Sequence, residues 1–570
     1  MKQNKNRGFI MVIVLMIIPV LFLIAATVHQ RFMLDLQFTQ RDIGSKKAFY
    51  IAQAGERAAM YEFASTNYQR FTHDSGGNIV SGIMRTPVTI SHNSIDEQGW
   101  TQWEWKTGDT HRNFTNSGNL EKYRYRIIQE GPEIWMVEVE GFYGNQKRTI
   151  MVRGITEGAF RYALFANESL SEFVRGPNQT ITGRIHSNGN LFFRPTGSLL
   201  SIHSPSVTAA GDMIRYQDAW GRPDQGGTVR IENRNNSMVV MEGHSQGHSG
   251  IGNAFDSHNP LWSHESSGAM NRWGGVVLDG SLGAGRVEPP SLQSFEDGGY
   301  FSQEAGLLVD STTIGPGISD VEFYNNAEGR LERVKEIDIS SFLYPPNGLV
   351  YSSVPVRLIN GEKLPGPLTV VSNSTIYTRG DMNMVYPDRD SYEDGVSAKM
   401  PFALMTSARI YHLSGEYQDR MLPGGPIPQG SDPSRYPGDP NNVIEINAAL
   451  VDGAPQVDEI NFIREWNGVT NPLFTGRDDS GSYTWANSDD FLENMSSITV
   501  RKSGSVVHLE NANMALLDNS NAGPGITAWV YRTFYRPPIR DYSYDDDLAD
   551  SRLQPPFFPV TARKLGWRTQ

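Results

Sequence analysis

Hydrophobic and polar positions change rhythm three times along the chain. From Phe9 to Val28 the run FIMVIVLMIIPVLFLIAATV carries no charged residue. At 1.5 Å rise per residue this predicts a helix able to cross a hydrocarbon layer of roughly 30 Å. A secretory signal would have a shorter apolar core, roughly 7 to 15 residues, and a small-residue cleavage site after it. Past Val28 there is no proline until Pro87. Apolar residues recur at Phe32, Leu36, Ile43, Ala48, Ile51, Ala52, Ala59 and Phe63, a loose 3.6-residue stripe. The helix is therefore expected to continue as an amphipathic piece over 29–65, forming one rod of roughly 80 Å. Pro19, Gly44 and Gly55 are expected to bend it or melt a turn.

A period of two takes over after Asn119. EKYRYRIIQEG, EIWMVEVEGFYG and NQKRTIMVRG alternate as strands, with Gly131-Pro132 and Gly144-Asn145 between them as turns. They predict a three-stranded antiparallel meander that buries one face on the outer half of the helix, a small α+β module spanning 66–158 with its preceding loop. Within that loop Trp100, Trp103 and Trp105 read as packing residues before they read as a sugar-binding platform.

From residue 159 to 530 the rhythm is quasi-periodic. Phrases such as QTITGRIHSNGNLFF, PLTVVSNSTIYTRGDMNM and PFALMTSARIYHLSG are short β-rich runs broken by Gly, Asn, Ser or Asp, roughly 20 residues apart where nothing intervenes. Repeats that cannot bury their apolar side alone must stack. The expected fold is a mainly-β domain, a right-handed parallel β-helix (solenoid), with a β-sandwich as the alternative. Insertions are expected near 217–275 and 415–441, and residues 531–570 form a Pro- and Asp-rich terminal segment.

Composition narrows the setting. The 56 glycines and 32 prolines suit a turn-rich β protein, and the absence of cysteine excludes disulfides, thiolate metal sites and a cysteine nucleophile. Net charge is −13 with no dense basic block after the leader, which argues against nucleic acid as a partner. Lys2, Lys5 and Arg7 precede the apolar run in the leader 1–8. By the positive-inside rule the amino terminus stays cytoplasmic and the bulk of the chain crosses the membrane.

Two clusters bear on metal chemistry. His244, His248, His258 and His264 fall within a Gly/Ser-rich stretch near Asp256 and Glu265, imidazoles and carboxylates of a kind that hold zinc, but without an HExxH helix. Asp545, Asp546 and Asp547, flanked by Asp541 and Asp550, offer hard oxygens suited to calcium, yet off the EF-hand spacing. The competing readings are a polar loop for the first, and solvated acids or partners of Arg536 and Arg540 for the second. No nucleophile elbow, Walker loop or dinucleotide fingerprint occurs, so the chain is expected not to be an enzyme.

The leader ending in Gly8, the helix opening at Phe9 and the stretch GSKKAFYIAQAGERAAMYEF together resemble the amino terminus of PilX-like minor type IV pilins and GspK-like type II secretion pseudopilins. The later phrases resemble large ectodomains of uncharacterised bacterial surface proteins. The resemblance implies that a prepilin peptidase cuts between Gly8 and Phe9 and methylates Phe9. It implies other pilins or pseudopilins and an inner-membrane assembly platform as partners, with membrane lipid before assembly. It also implies a single-pass inner-membrane protein that moves into a cell-surface filament. Ile13 stands where major pilins carry glutamate at the fifth mature position, and in GspK-like proteins that absence goes with the filament tip. The alternative is a membrane-tethered surface protein whose β domain binds polysaccharide or envelope components outside any filament.

Overall fold

One unbroken helix, Asn6–Ser65, opens the chain and runs through Pro19, Gly44 and Gly55 without a melted turn. In this computed structural model the described residues are 6–65, 67, 104–105, 121–130, 133–172, 178–193, 195, 198–215, 227–241, 255–325, 330–384, 399–413, 443–453, 461–463, 493–494, 499–509, 512–513, 535–536, 539–550 and 553–569. They divide into two units: Met1–Phe63 with Arg70–Ile155 and Lys564–Gln570, and Ala64–Gln69 with Thr156–Arg563.

In the first unit the expected weak points of the helix are its contact points. Gly44, Ala48, Ile51, Ala52, Gly55, Ala59, Met60 and Phe63 are buried, while Phe32, Leu36 and Ile43, assigned to the same stripe by periodicity, stay exposed. A Cβ on Gly55 would stand 2.7 Å from both Tyr123 and Val139, and one on Gly44 would stand 2.9 Å from Gln146. Small residues thus let the helix backbone lie against the sheet, and Phe63 closes the far end edge-on to Trp135.

That sheet is antiparallel through Glu121–Gln129, Ile134–Tyr143 and Gln146–Gly158. It is widened at its edges by Glu104–Trp105 and by the final strand Val560–Thr569. The end of the terminal segment 531–570 thus forms an edge strand of this sheet. Gly144 takes φ +57° in the two-residue hairpin loop, the sign a II′ turn requires at its first central position. Tyr125, Ile127, Val137, Val139, Ile150 and Val152 are buried on one face. On the other, Arg124 sits opposite Glu140 and Arg126 opposite Glu138, each pair bonded at 2.8 Å. Burial pushes the Glu140 carboxyl up, but hydrogen bonds from Lys147 and Arg124 outweigh it and hold the group below its ordinary range.

The second unit is mostly β. Some of its strands pair in parallel at steps of 20 to 22 residues, Val350 with Val370, Ile181 with Ile202 and Ile185 with Val207, and others at longer steps, Val370 with Leu404 and Leu450 with Val506. They do not make one run of coils in chain order with a single set of faces, as a simple solenoid would. Among the described residues there are several separate sheets, two of which carry antiparallel hairpins, Thr228–Glu232 with Met238–Met241 and Ile318–Asn325 with Arg330–Asp338.

The ten-stranded sheet shows why. It starts at Leu307–Val309, proceeds through Leu349–Ser352, Leu368–Ser372, Phe402–Thr406, Ala449–Asp452 and Val506–His508, and only then reaches Tyr162–Ala166, Arg184–Ser187, Val207–Ala209 and Val277–Leu278. The later strands are laid on the far side of the first. To get there the chain turns back after Leu278 along the sheet's outer face, where Val287, Phe295, Tyr300 and Phe301 pack on Tyr351, Val371, Met405 and Val507. Covered on both faces, Leu368–Ser372 and Phe402–Thr406 are buried at every position, which is why they read as continuous apolar runs.

The interior falls into two main apolar clusters, one around Ile185, Leu191, Ile202 and Val229, the other around Val350, Leu358, Ile376 and Leu404. The expected insertion over 217–275 is partly core. Phe255, Trp262 and Trp273 meet at 5.7 to 5.9 Å at the end of the first cluster. The short helix Ala269–Trp273 that carries the last of them stops at Gly274, φ +63°. The expected insertion over 415–441 lies outside the described residues.

Candidate functional site

The first third of the long helix is the feature that the rest of the chain leaves unexplained. Successive helical residues are turned by about 100°, so four in a row sample nearly the whole circumference. Leu21, Phe22, Leu23 and Ile24 are 57, 76, 70 and 55 % exposed. No side of the helix is covered there. The pattern holds out to Phe38, and ends where Gly44 and Ala48 meet the sheet. Among the described residues this is the one helix long and apolar enough to cross a membrane by length and composition, with a mean hydropathy of 1.7. A helix apolar all round is stable only in apolar surroundings, lipid or other helices.

The expected processing and assembly positions Gly8, Phe9, Ile13, Pro19 and Val28 all fall within this helix. Side chains are described from Ile17 onward. Pro19 lacks the N–H that would bond the Leu15 carbonyl, so one rung of the ladder is missing in the apolar stretch. Val28 is 62 % exposed and closes the uncharged run, with Arg31 and Asp35 on the next turns.

The suspected metal ligands that lie among the described residues are not brought together. Among the described residues no group of three or more His, Asp or Glu side chains gathers to hold an ion. Asp545 caps the short helix Asp546–Ala549, accepting from the Asp547 N–H, and pairs with Lys399 at 2.9 Å. Three residues per turn fan Asp545, Asp546 and Asp547 apart at about 120°, away from any common point. His258 lies 3.5 Å from Asp212, and His264 Nδ1 sits near the Ser266 and Ser267 hydroxyls. Asp256, fully buried, accepts from the Arg215 and His258 backbone N–H groups, and burial pushes its carboxyl up. His244 and His248 lie outside the described residues, as do Trp100 and Trp103.

One polar cluster escapes sequence reading altogether. Tyr162 donates from its hydroxyl to the buried Glu157 carboxylate at 2.8 Å. Against Tyr162 and Phe165 lies the His186 ring, whose nitrogens meet Thr208 Oγ1 at 2.8 Å and Asn188 Oδ1 at 3.0 Å. Burial lowers His186 to about 4, so the ring is neutral at pH 7. Burial and the neighbouring Glu157 push the Tyr162 phenol up. Residues so far apart in the chain leave no spacing signal.

No family model matches the chain, and no curated protein matches it. Among solved structures it is similar to the competence-associated pilin ComZ from Thermus thermophilus, at TM-score 0.24 and 10 % identity, covering 92 % of this chain and 97 % of that chain. A likeness this slight fixes neither fold nor function.

Proposed function

We propose that the chain is a pilin-type structural subunit, non-enzymatic, whose helix is held in the inner membrane and then packed among the helices of other pilins or pseudopilins. The observation that carries this reading is the division of one continuous helix at Gly44. Up to Val28 it is apolar, and from Ile17 to Ile43 its side chains are uncovered; after Gly44, small residues seat it on an antiparallel sheet. Anchors need the first half alone, whereas a subunit that leaves lipid for a bundle needs that half bare and the second half rigidly attached.

The finer reading follows the resemblance of the amino terminus to PilX-like and GspK-like proteins. A prepilin peptidase cuts after Gly8, Phe9 becomes the methylated first residue, an inner-membrane platform drives assembly, and Ile13 marks a subunit at the tip or in the initiation complex. The second unit is then an outward display domain for adhesion or partner binding. The parallel pairing of several of its strands at steps of 20 to 22 residues supports reading them as coils of a parallel β-helix with a reversed chain order.

Mass spectrometry of the amino terminus tests this, with and without the peptidase. Methylated Phe9 is expected when the peptidase is present. An intact Met1 or Lys2 terminus in its presence would sink the filament reading in favour of a tethered surface protein.

A further inference from the structure

We propose that Lys564–Thr569, the outer part of the last strand, is a strap hinged at Arg563, which opens by itself and bares the edge of the strand Gln146–Gly158 to the same segment of a second copy. The proposal does not depend on the filament reading. Along Val560–Thr569 the hold on the chain changes abruptly. Val560, Thr561 and Ala562 are 6, 0 and 0 % exposed, and every residue from Arg563 onward is exposed. The buried start is gripped from several sides. Asn67, fully buried at φ +52°, donates from Nδ2 to the Phe558 carbonyl at 3.0 Å and accepts the Val560 N–H at 2.8 Å. The Ala159 N–H donates to the Pro559 carbonyl at 2.8 Å, and the Thr561 hydroxyl to the Glu157 carbonyl at 3.1 Å. Ala562 exchanges both of its backbone bonds with Glu288, its N–H donating at 3.0 Å.

Beyond Arg563 the strand is the outermost of its sheet, and its side-chain contacts lie at the surface. Lys564 pairs with Glu56 at 2.7 Å, the Trp567 ring stands 6.2 Å from that of Phe49, and Arg568 Nε lies 3.1 Å from Met151 Sδ. Leu565 and Trp567 stay 55 and 65 % exposed. A Cβ on Gly566 would meet nothing within 4 Å, so the middle of the strap is unpacked there. Exposed ion pairs contribute little, and a glycine weakens the strand that contains it. A segment held this way opens locally while the rest stays folded. Opening takes hydrogen-bond partners from Gln146–Gly158, and a bared edge is a template for another strand. The strap of a second copy fits that edge because it brings the same partners to Phe49, Glu56 and Met151.

Hydrogen-exchange mass spectrometry of the full chain in detergent tests the strap. Amides of 564–569 should exchange at least about tenfold faster than those of 134–143 in the same sheet. Trp567→Ala should speed exchange at 564–569 and 146–155 together. Gly566→Val, which fills open space with a strand-favouring side chain, should slow both. A biotinylated peptide of residues 564–570, added in excess, should be captured by the Trp567→Ala protein and less by the Gly566→Val protein. Exchange at 564–569 as slow as at 134–143 in the unaltered protein, or no capture of the peptide by Trp567→Ala, would overturn the proposal.

Discussion

Gly141→Ala is the sharpest perturbation of the helix-on-sheet contact. Gly141 lies near the end of the strand Ile134–Tyr143, where the helix backbone comes close. A Cβ there would stand 2.8 Å from Ala52 Cβ and closer still to the Ala48 carbonyl oxygen and the Ala52 nitrogen. Two of these are backbone atoms of a hydrogen-bonded helix, so no rotamer change relieves the clash. The helix must lift by up to an ångström or the strand must sink. Overpacking a core costs about 1–3 kcal/mol, and contact with backbone puts this case at the upper end. Alanine regains about 0.5–1 kcal/mol of glycine's entropic cost in a strand. The net destabilisation of the first unit should be about 2 kcal/mol, or roughly thirtyfold faster exchange of amides that open with it. Hydrogen-exchange mass spectrometry of peptides covering 48–63 and 134–143 reads this directly, with 368–372 in the second unit as an internal standard. Ala52→Gly added to the variant should restore little, because the backbone contacts remain. Exchange within about twofold of the unaltered protein would refute the reasoning, since the close approach would then be slack.

Three other outcomes follow from the same structure. His186 and His412, lowered by burial to about 4 and about 3, favour the folded second unit only while neutral. Their contribution is present above the unfolded histidine value of about 6.5 and is lost as pH falls from there through the folded values. Denaturation midpoints at pH 7.5 and 4.5 should therefore diverge, and His186→Gln should shrink the difference; an unchanged difference contradicts the assignment. Arg357 is fully buried, bonded to Glu336 at 2.8 Å and stacked 4.9 Å from the Phe323 ring. Arg357→Ala should cost about 3 kcal/mol by stranding the Glu336 carboxylate, and Arg357→Met combined with Glu336→Leu distinctly less, compared by denaturant midpoints. Breaking the aromatic trio through Trp273→Ala should cost about 3–5 kcal/mol by opening a cavity against Phe255 and Trp262, measured the same way.

Local chemistry alone accounted for the elements whose causes are local. Twenty uncharged apolar residues after a basic leader specify a helix in apolar surroundings, and the alternation of Trp135, Val137 and Val139 specifies a strand with one buried face. A long amino-terminal helix followed by a mostly-β chain was legible for this reason, and so was the spacing of about 20 residues between strand phrases.

Tertiary structure decided what depends on approach and on order. Gly44 and Gly55 read as weaknesses in a helix, but against a sheet they are the places where two backbones come close, which no periodicity encodes. That the strand Val506–His508 pairs with Tyr162–Ala166 follows from the chain doubling back over the outer face of the sheet, a path set by where Phe295 and Phe301 find apolar cover. Asp545, Asp546 and Asp547 are neighbours in sequence and fan apart on a tight helix. Arg161 and Arg184 lie on different elements, and only the fold brings both to the buried Glu157 carboxylate, at 3.9 and 3.8 Å.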